Sequence, residues 1–367
     1  MMKNNKRAVL HILSSGDTGG IEMLCKEYAK HSKNNNIFLF PWRAGIVTDA
    51  MQKAGVNVVH LNALQRNFFK TYFNIKRICI ENKVKSIVIH HNAPALLLYI
   101  PFLKKKFPNI KVYMYAHSAA KNMFWKSNYI KFMYYKPIVI WASKRVDYII
   151  AISEYVKSTV IEEMKVNPNK IRVIYNGVDL RTYKPSTIEE DNISKFVYVG
   201  RLVKEKGVEN IVRAMKVLPR DISWHLTIAG DGPEKKNIEY LIEKLNLKDR
   251  ISMIGNCEEV PKLLSQSGIF LHLPNCEEGF GITIIEAMAT GLICICGASG
   301  AIPEIISNKV DGLLVGKSNY KEMADCIVEL FNNMNKTKVA ELKKAAVNKA
   351  THFSIDEFVK KLDKTVG

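Results

Sequence analysis

Glu278 and Glu286 stand eight positions apart in the run Glu278-Gly279-Phe280-Gly281-Ile282-Thr283-Ile284-Ile285-Glu286. Two glycines bracket Phe280, so backbone amides there can approach a ligand closely. From Ile282 the pattern turns helical and runs to Ala289, which makes the segment a loop feeding a helix N-terminus. Such an end suits phosphate oxygens. Glu278 falls on the loop and Glu286 a turn or more into the helix. One carboxylate can then hold one part of a long ligand and the second another; a sugar, a diphosphate and a ribose in a row fit that layout. A hydrolytic pair would need its carboxyl groups roughly 5–9.5 Å apart. Eight residues of helix rise about 12 Å, so the pair is too far apart unless the loop folds back. A solvated helix face accounts for neither the glycines nor the placing of Glu286 between Ile285 and Ala287-Met288.

Other polar residues follow apolar runs in the same way. Arg201 follows Phe196–Gly200, and Lys206 comes five residues later with Gly207 behind it. Two cations at a strand exit suit a diphosphate, although a solvated basic loop would have the same spacing. Gly16-Asp17-Thr18-Gly19-Gly20 is a phosphate-approach loop in type, but it is not GxGxxG and serves equally as a plain turn. His117 follows the apolar run Lys111–Ala116; a lone histidine there is as readily structural as functional. Gly230-Asp231-Gly232-Pro233 reads as a structural turn.

The elements that must carry these residues alternate between short apolar runs and helical periods, the mark of a parallel α/β sheet. Strands are predicted at Ala8–Leu13, Ile37–Pro41, Val56–Leu61, Ser86–His90, Lys111–Ala116, Tyr148–Ile152 and Arg172–Tyr175 in the first half. In the second half they fall at Phe196–Val199, His225–Ala229, Ile251–Ile254, Ile269–Leu273, Leu292–Cys296 and Leu313–Val315. The polar stretch Lys184–Asn192 reads as a linker. The expected organisation is therefore two doubly wound, Rossmann-like domains, 1–184 and 185–345. Helices over 346–367 are candidates to cross back to the first domain. Open α/β sheets bind ligands at their strand C-termini.

Length and composition narrow the function class. At 367 residues and 47% apolar content the chain can bury two cores. Lys and Arg total 54 against 35 Asp and Glu, a net charge of +19, which suits an anionic partner. No carboxylate occurs between Glu81 and Asp147. The seven cysteines are odd in number and lack CxxC spacing, against a disulfide framework or zinc site; a reducing, cytoplasmic compartment is expected. The N-terminus lacks a signal-peptide pattern, and no run reaches the roughly 18 apolar residues of a spanning helix.

Taken together, these motifs resemble the retaining, nucleotide-sugar-dependent glycosyltransferases of family 4, of GT-B fold, in which two domains face each other across a cleft. The resemblance covers nearly the whole chain. It is carried by Tyr175-Asn176-Gly177-Val178-Asp179, Gly200-Arg201-Leu202, Glu205-Lys206-Gly207, Ala229-Gly230-Asp231-Gly232-Pro233, the Glu278…Glu286 run, and Ile302-Pro303-Glu304. Gly19-Gly20-Ile21-Glu22 matches the N-terminal glycine loop more loosely. The resemblance implies that Arg201 and Lys206 neutralise the donor diphosphate and that Glu278 contacts the transferred sugar. The amides of Phe280, Gly281, Ile282 and Thr283 would serve sugar and phosphate, and Glu286 the ribose. Gly20 would let its loop approach the phosphates, and His117 would sit beside sugar and acceptor. It also implies no cofactor and no metal; the UDP- or GDP-linked sugar is the substrate. Ile293 and Ala301 depart from the usual proline and glycine, and neither change removes a polar group.

The segment Lys121–Lys136 mixes lysines with Phe124, Trp125, Tyr129, Phe132, Tyr134 and Tyr135. A basic, aromatic amphipathic helix suits an anionic bilayer surface, although aromatics packed inward with solvated lysines would read the same. The expected acceptor is a saccharide or lipid-linked saccharide in capsule, exopolysaccharide or O-antigen assembly, with the enzyme peripheral on the inner face of the cell membrane. The alternatives are a GT-B-type phosphorylase or hydrolase and a basic nucleic-acid-binding protein. No pyridoxal-phosphate lysine motif supports the first. No reader motif supports the second, so no nucleic-acid partner is expected.

Overall fold

The computed structural model describes residues 8–17, 19–61, 67–91, 94–120, 136–137, 139–185, 192–333 and 335–367. Residues 121–135 of the lysine–aromatic segment lie outside them, as does Thr18 of the first glycine loop. The chain forms two compact units, Met1–Gly177 with Ile355–Gly367, and Val178–Ser354. The passage into the second unit comes ahead of the polar stretch that begins at Lys184, and the return comes at Ile355.

The first unit is built on a parallel sheet of seven strands: β1 (Ala8–Ile12), β2 (Asn35–Phe40), β3 (Asn57–His60), β4 (Val84–His91), β5 (Lys111–Ala116), β6 (Tyr148–Ala151) and β7 (Ile171–Val173). Their order is β3-β2-β1-β4-β5-β6-β7. The second sheet has six parallel strands: β8 (Lys195–Val199), β9 (His225–Ala229), β10 (Ile251–Gly255), β11 (Ile269–His272), β12 (Ile293–Gly297) and β13 (Leu313–Val315), in the order β10-β9-β8-β11-β12-β13. All thirteen predicted strands are present, with ends displaced by a residue or two. Helices cover both faces of such a sheet, which is why strands such as Ala8–Ile12 and Ile293–Gly297 are apolar and buried along their whole length rather than alternating.

In each sheet the strand order reverses once, between β1 and β4 and between β8 and β11. Neighbouring strand ends there lead their chains in opposite directions and leave a crevice. In the second unit Phe196 pairs with Ile269 across this point, so the loops after Val199 and after His272 leave the sheet side by side. They carry Arg201, Lys206 and Glu278.

The last helix, Ile355–Val366, packs on the first unit. Ile355, Phe358, Val359, Leu362 and Val366 form its buried stripe, at the spacing of one helical face. The Tyr113 hydroxyl donates to the Thr365 carbonyl at 2.7 Å and the Tyr28 hydroxyl to Asp363 at 2.6 Å.

The loop after β8 is clamped by the loop after β9. The Gly200 amide donates to the Ala229 carbonyl at 3.0 Å, the Leu202 amide to Asp231 at 2.8 Å, and the Glu234 amide back to Leu202 at 3.0 Å. Gly230 has φ +144°, and a Cβ there would strike the Gly200 carbonyl oxygen. Gly230→Ala is therefore expected to destabilise the second unit by about 2–3 kcal/mol. Its melting temperature should fall by roughly 5–10 °C in a thermal scan; an unchanged melt would show that the clamp gives way freely.

Candidate active site

The second unit gathers most of the predicted polar residues at its strand-order reversal. Lys206 ends a short 3-10 turn, Lys204–Lys206. The turn is fixed by Asn275, whose amide nitrogen donates to the Glu205 carbonyl at 2.9 Å and whose side chain donates to the Lys204 carbonyl at 2.8 Å. Asn210 in turn donates to the Asn275 side-chain oxygen at 2.7 Å. Held this way, the Lys206 ammonium meets the Glu278 carboxylate at 2.6 Å. Glu278 also accepts from Nε2 of His272 at 3.2 Å.

These three side chains form a partly buried ion pair with a buried imidazole behind it. Burial pushes the Glu278 carboxyl up, but the Lys206 charge and the His272 hydrogen bond outweigh it and hold it well below the usual carboxylate range. Burial lowers His272, with Glu278 opposing, so the ring is neutral near pH 7 and donates through Nε2. Its Nδ1 is buried without a hydrogen-bond partner. The Tyr198 and Phe270 rings lie nearly parallel to the imidazole, with centroids 6.4 and 6.3 Å away.

The loop carrying Glu278 is tied to the turn after β12. The Ser299 hydroxyl donates to the Cys276 carbonyl at 2.8 Å, the Gly300 amide to the Glu277 carboxylate at 2.6 Å, and the Ala301 amide to the Glu278 carbonyl at 2.9 Å. Lys317 completes this second cluster, 2.6 Å from Glu277. Arg201 lies exposed on the adjoining turn, with no ion pair among the described residues. Its backbone carbonyl accepts from the Tyr198 hydroxyl at 3.2 Å.

Helix Ile282–Ala289 begins as predicted. Gly281 precedes it at φ +114°, a backbone conformation that glycine adopts without strain. Phe280 is buried edge-on against Phe353 at 5.8 Å. The amides of Ile282 and Thr283 belong to the first turn, where no intrahelical acceptor exists. Glu286 is partly buried one turn further on. Desolvation raises its carboxyl to about 7, opposed by a hydrogen bond from Tyr183.

Gly20 and His117 belong to the first unit. Gly20 opens helix Gly20–His31 and has open space around its Cα, so packing does not demand glycine there. His117 follows β5 and is half-buried. Its Nε2 lies 2.9 Å from Nδ1 of His90, and its ring stacks on Tyr115 at 4.2 Å.

Sequence reasoning missed His272, Asn275, Glu277 and Tyr183. The first three sit within six positions of Glu278, at the exit of β11, and that position was their one available signal. Tyr183 lies far from Glu286 in sequence and gave none. Among the described residues no cluster of three or more His, Cys, Asp and Glu side chains could hold a metal ion.

Residues 181–350 match the family described as Glycosyl transferases group 1, and residues 19–182 match Glycosyltransferase Family 4. This chain belongs to the family 4-type glycosyltransferases. It is 33% identical over 195 residues to an uncharacterized glycosyltransferase of Methanocaldococcus jannaschii, covering 53% of this chain and 52% of that protein. It is 30% identical over 216 residues to the UDP-Gal:alpha-D-GlcNAc-diphosphoundecaprenol alpha-1,3-galactosyltransferase of Escherichia coli, covering 54% and 55%. The matched stretch thus spans about half the length of these relatives. Over 98% of this glycosyltransferase and 99% of the other chain, the fold superposes on Anabaena HepE in complex with UDP, with a TM-score of 0.85 at 19% identity. The fold is GT-B.

The raised Glu286 carboxyl has a measurable consequence for this glycosyltransferase. A carboxyl whose folded pKa lies above its ordinary value favours the folded state while protonated. That contribution is complete below about pH 4.5 and is lost as pH rises through about 7. Glu286→Gln keeps the neutral form at every pH. It should be more stable than wild type at pH 8 by about 1–2 kcal/mol, with the gap closing towards pH 5. Equal melting temperatures at pH 8 would show that the carboxyl ionises without cost.

Proposed function

We propose that this glycosyltransferase moves a hexose-type sugar from a nucleoside diphosphate donor, UDP- or GDP-linked, to an acceptor hydroxyl with retention of anomeric configuration and without a metal ion. The observation that carries the reading is the Lys206–Glu278 pair, fixed at 2.6 Å at the strand-order reversal beside the exposed Arg201. Breaking a sugar–phosphate bond builds negative charge on the departing diphosphate. Cations already in place stabilise that charge without reorganising, and Lys206 and Arg201 are assigned that role. Glu278, held ionised, accepts from hydroxyls of the transferred sugar. The first-turn amides of Ile282 and Thr283, with Phe280 and Gly281, serve phosphate and sugar, and Glu286 accepts from the ribose hydroxyls. From the resemblance, His117 is assigned to the sugar and Gly20 to close approach of phosphate. The acceptor oxygen bonds to the anomeric carbon on the face that the diphosphate leaves, and a phosphate oxygen takes the acceptor's proton.

The test is turnover with a panel of UDP- and GDP-sugars. Arg201→Ala and Lys206→Ala should each lower kcat on the order of 10² to 10³ while the proteins stay folded. Activity should persist in excess EDTA, and NMR should show the donor's anomeric configuration in the product. Near-normal turnover in both variants, loss of activity with chelator, or an inverted product would overturn the reading.

The proposed acceptor is a lipid-linked saccharide at an anionic membrane surface. The name of the Escherichia coli relative specifies a diphosphoundecaprenol acceptor for that protein. No helix among the described residues is long and apolar enough to cross a membrane, so contact would be peripheral. The carboxylate-free stretch 82–146 supports it, and Phe69, Phe73 and Phe102 are large exposed aromatics of the same unit. Lys136 is paired with Glu163 at 2.9 Å; Lys121, Lys126 and Lys131 of the lysine–aromatic segment are the cations chosen for the test. Each basic residue at such a surface contributes about 1 kcal/mol. Replacing all three with Gln should weaken binding to anionic vesicles by roughly 10–100-fold, and salt should weaken it in wild type. If wild type ignores anionic vesicles in a low-salt flotation assay, the membrane acceptor loses its support.

A further inference from the structure

A line of hydrogen-bonded side chains runs through the first unit from the last helix to His117. The Asp363 carboxylate accepts from the Tyr28 hydroxyl at 2.6 Å, the Ser32 hydroxyl at 2.6 Å and the Lys33 amide at 2.9 Å. Ser32 Oγ accepts from Asn36 Nδ2 at 2.7 Å. Asn36 Oδ1 lies 3.2 Å from His11 Nε2, His11 Nδ1 lies 3.1 Å from His90 Nε2, and His90 Nδ1 lies 2.9 Å from His117 Nε2. His11 and His90 are fully buried, at 0% and 1% exposure.

The direction of every bond in this line follows from its anionic end. A carboxylate only accepts, so Ser32 spends its one proton on Asp363. Ser32 can then only accept from Asn36, which must turn its NH2 towards Ser32 and its oxygen towards His11. The opposite amide orientation would set two lone pairs against each other at 2.7 Å. Asn36 Oδ1 therefore requires the proton of His11 on Nε2. Burial holds His11 neutral, lowering it to about 4, and holds His90 well below its ordinary range, with the neighbouring histidines adding to the effect. Each ring carries one proton, so Nδ1 of His11 accepts from His90 Nε2, and Nδ1 of His90 accepts from His117 Nε2. The Cys25 thiol, which burial keeps protonated, lies beside the same ring, 3.6 Å from Nδ1 and 3.8 Å from Nε2 of His90. Among the described residues Tyr115 and Tyr28 also pack against these rings, and burial holds both as neutral phenols.

We infer that Asp363, acting through Ser32, Asn36, His11 and His90, fixes a proton on Nε2 of His117, which donates to Nδ1 of His90. Asp363, Ser32, Asn36, His11 and His90 are positioning residues for His117. The use of this arrangement in catalysis rests on the role proposed for His117; the placing of the proton does not.

The test is 15N NMR of histidine-labelled, full-length protein without donor at pH 7.5. In wild type His11 and His90 should show protonation at Nε2 alone, and His117 should carry a proton on Nε2. Ser32→Ala and Asp363→Ala release the Asn36 amide, and the His117 nitrogen shifts should move towards values averaged over both tautomers; Ser32→Thr keeps the hydroxyl and should restore the wild-type shifts. A wild-type His117 without a proton on Nε2 overturns the inference even if neither alanine variant folds. So do unchanged His117 shifts in both folded variants. In the transfer assay Ser32→Ala should lower kcat on the order of 10-fold, and by much less in a His117→Ala background, because the two act through one ring. An equal loss in both backgrounds would mark Ser32 as merely structural and overturn the inference. Failure of the glycosyl-transfer reading would instead appear as absent turnover in wild type with the NMR result intact.

Discussion

Each sheet of this glycosyltransferase reverses its strand order once, and the placing of every charged group in the second unit's site follows from that reversal. β8 and β11 run side by side, yet their continuing chains diverge to opposite flanks. The two loops are therefore neighbours in space although seventy-odd residues separate them in sequence. Lys206 can reach Glu278 only because of that adjacency. The loops are then held by backbone hydrogen bonds to the turns after β9 and β12, so an ammonium and a carboxylate meet on loops that are fixed in place.

The same problem, orienting a charged or polar tip at a strand end, is met in both units by a buried neutral histidine. His272 stands behind Glu278, and His90 stands behind His117. An imidazole suits the task because one nitrogen donates while the other accepts, and burial removes the charged form that would blur the direction. The two cases differ in what lies beyond. His90 passes its constraint to His11, Asn36 and finally a carboxylate on the last helix, whereas Nδ1 of His272 has no partner. An unpaired buried nitrogen costs free energy on the order of 1–3 kcal/mol. The Lys206–Glu278–His272 cluster thus carries a cost that packing alone does not explain.

The layers of this architecture differ in how far the sequence discloses them. Strands were legible because a doubly covered parallel strand is a short unbroken apolar run, as at Leu292–Cys296. The start of helix Ile282–Ala289 was legible from Gly281, and Arg201, Lys206 and Glu278 from their places just beyond strands. Asn275 and His272 were not singled out, because an Asn after a strand and a His within one are common in purely structural roles. Asp363 and Ser32 were beyond reach. Their contact joins residues more than three hundred positions apart; the return of the last helices was an expectation, but no local pattern tells which residues they meet. Periodicity reports which face of an element is buried, not which element it is buried against.

That return gives the last helix a role beyond covering the sheet. Phe358, Val359 and Leu362 would bury as much apolar surface with any polar residue at 363. An acidic residue there does something packing cannot, since a group that only accepts dictates the direction of a hydrogen-bond chain. Asparagine at 363 could donate or accept, and the ordering from Ser32 to His117 would be lost while the helix stayed docked. Glu286 shows the complementary case in the second unit. A partly buried carboxyl raised to about 7 weakens the fold wherever it ionises, and a ligand hydroxyl donating to it would recover part of that loss on binding. In both places a residue ill suited to stability alone sits where a directional hydrogen bond is needed, and the surrounding apolar core supplies the margin that tolerates it.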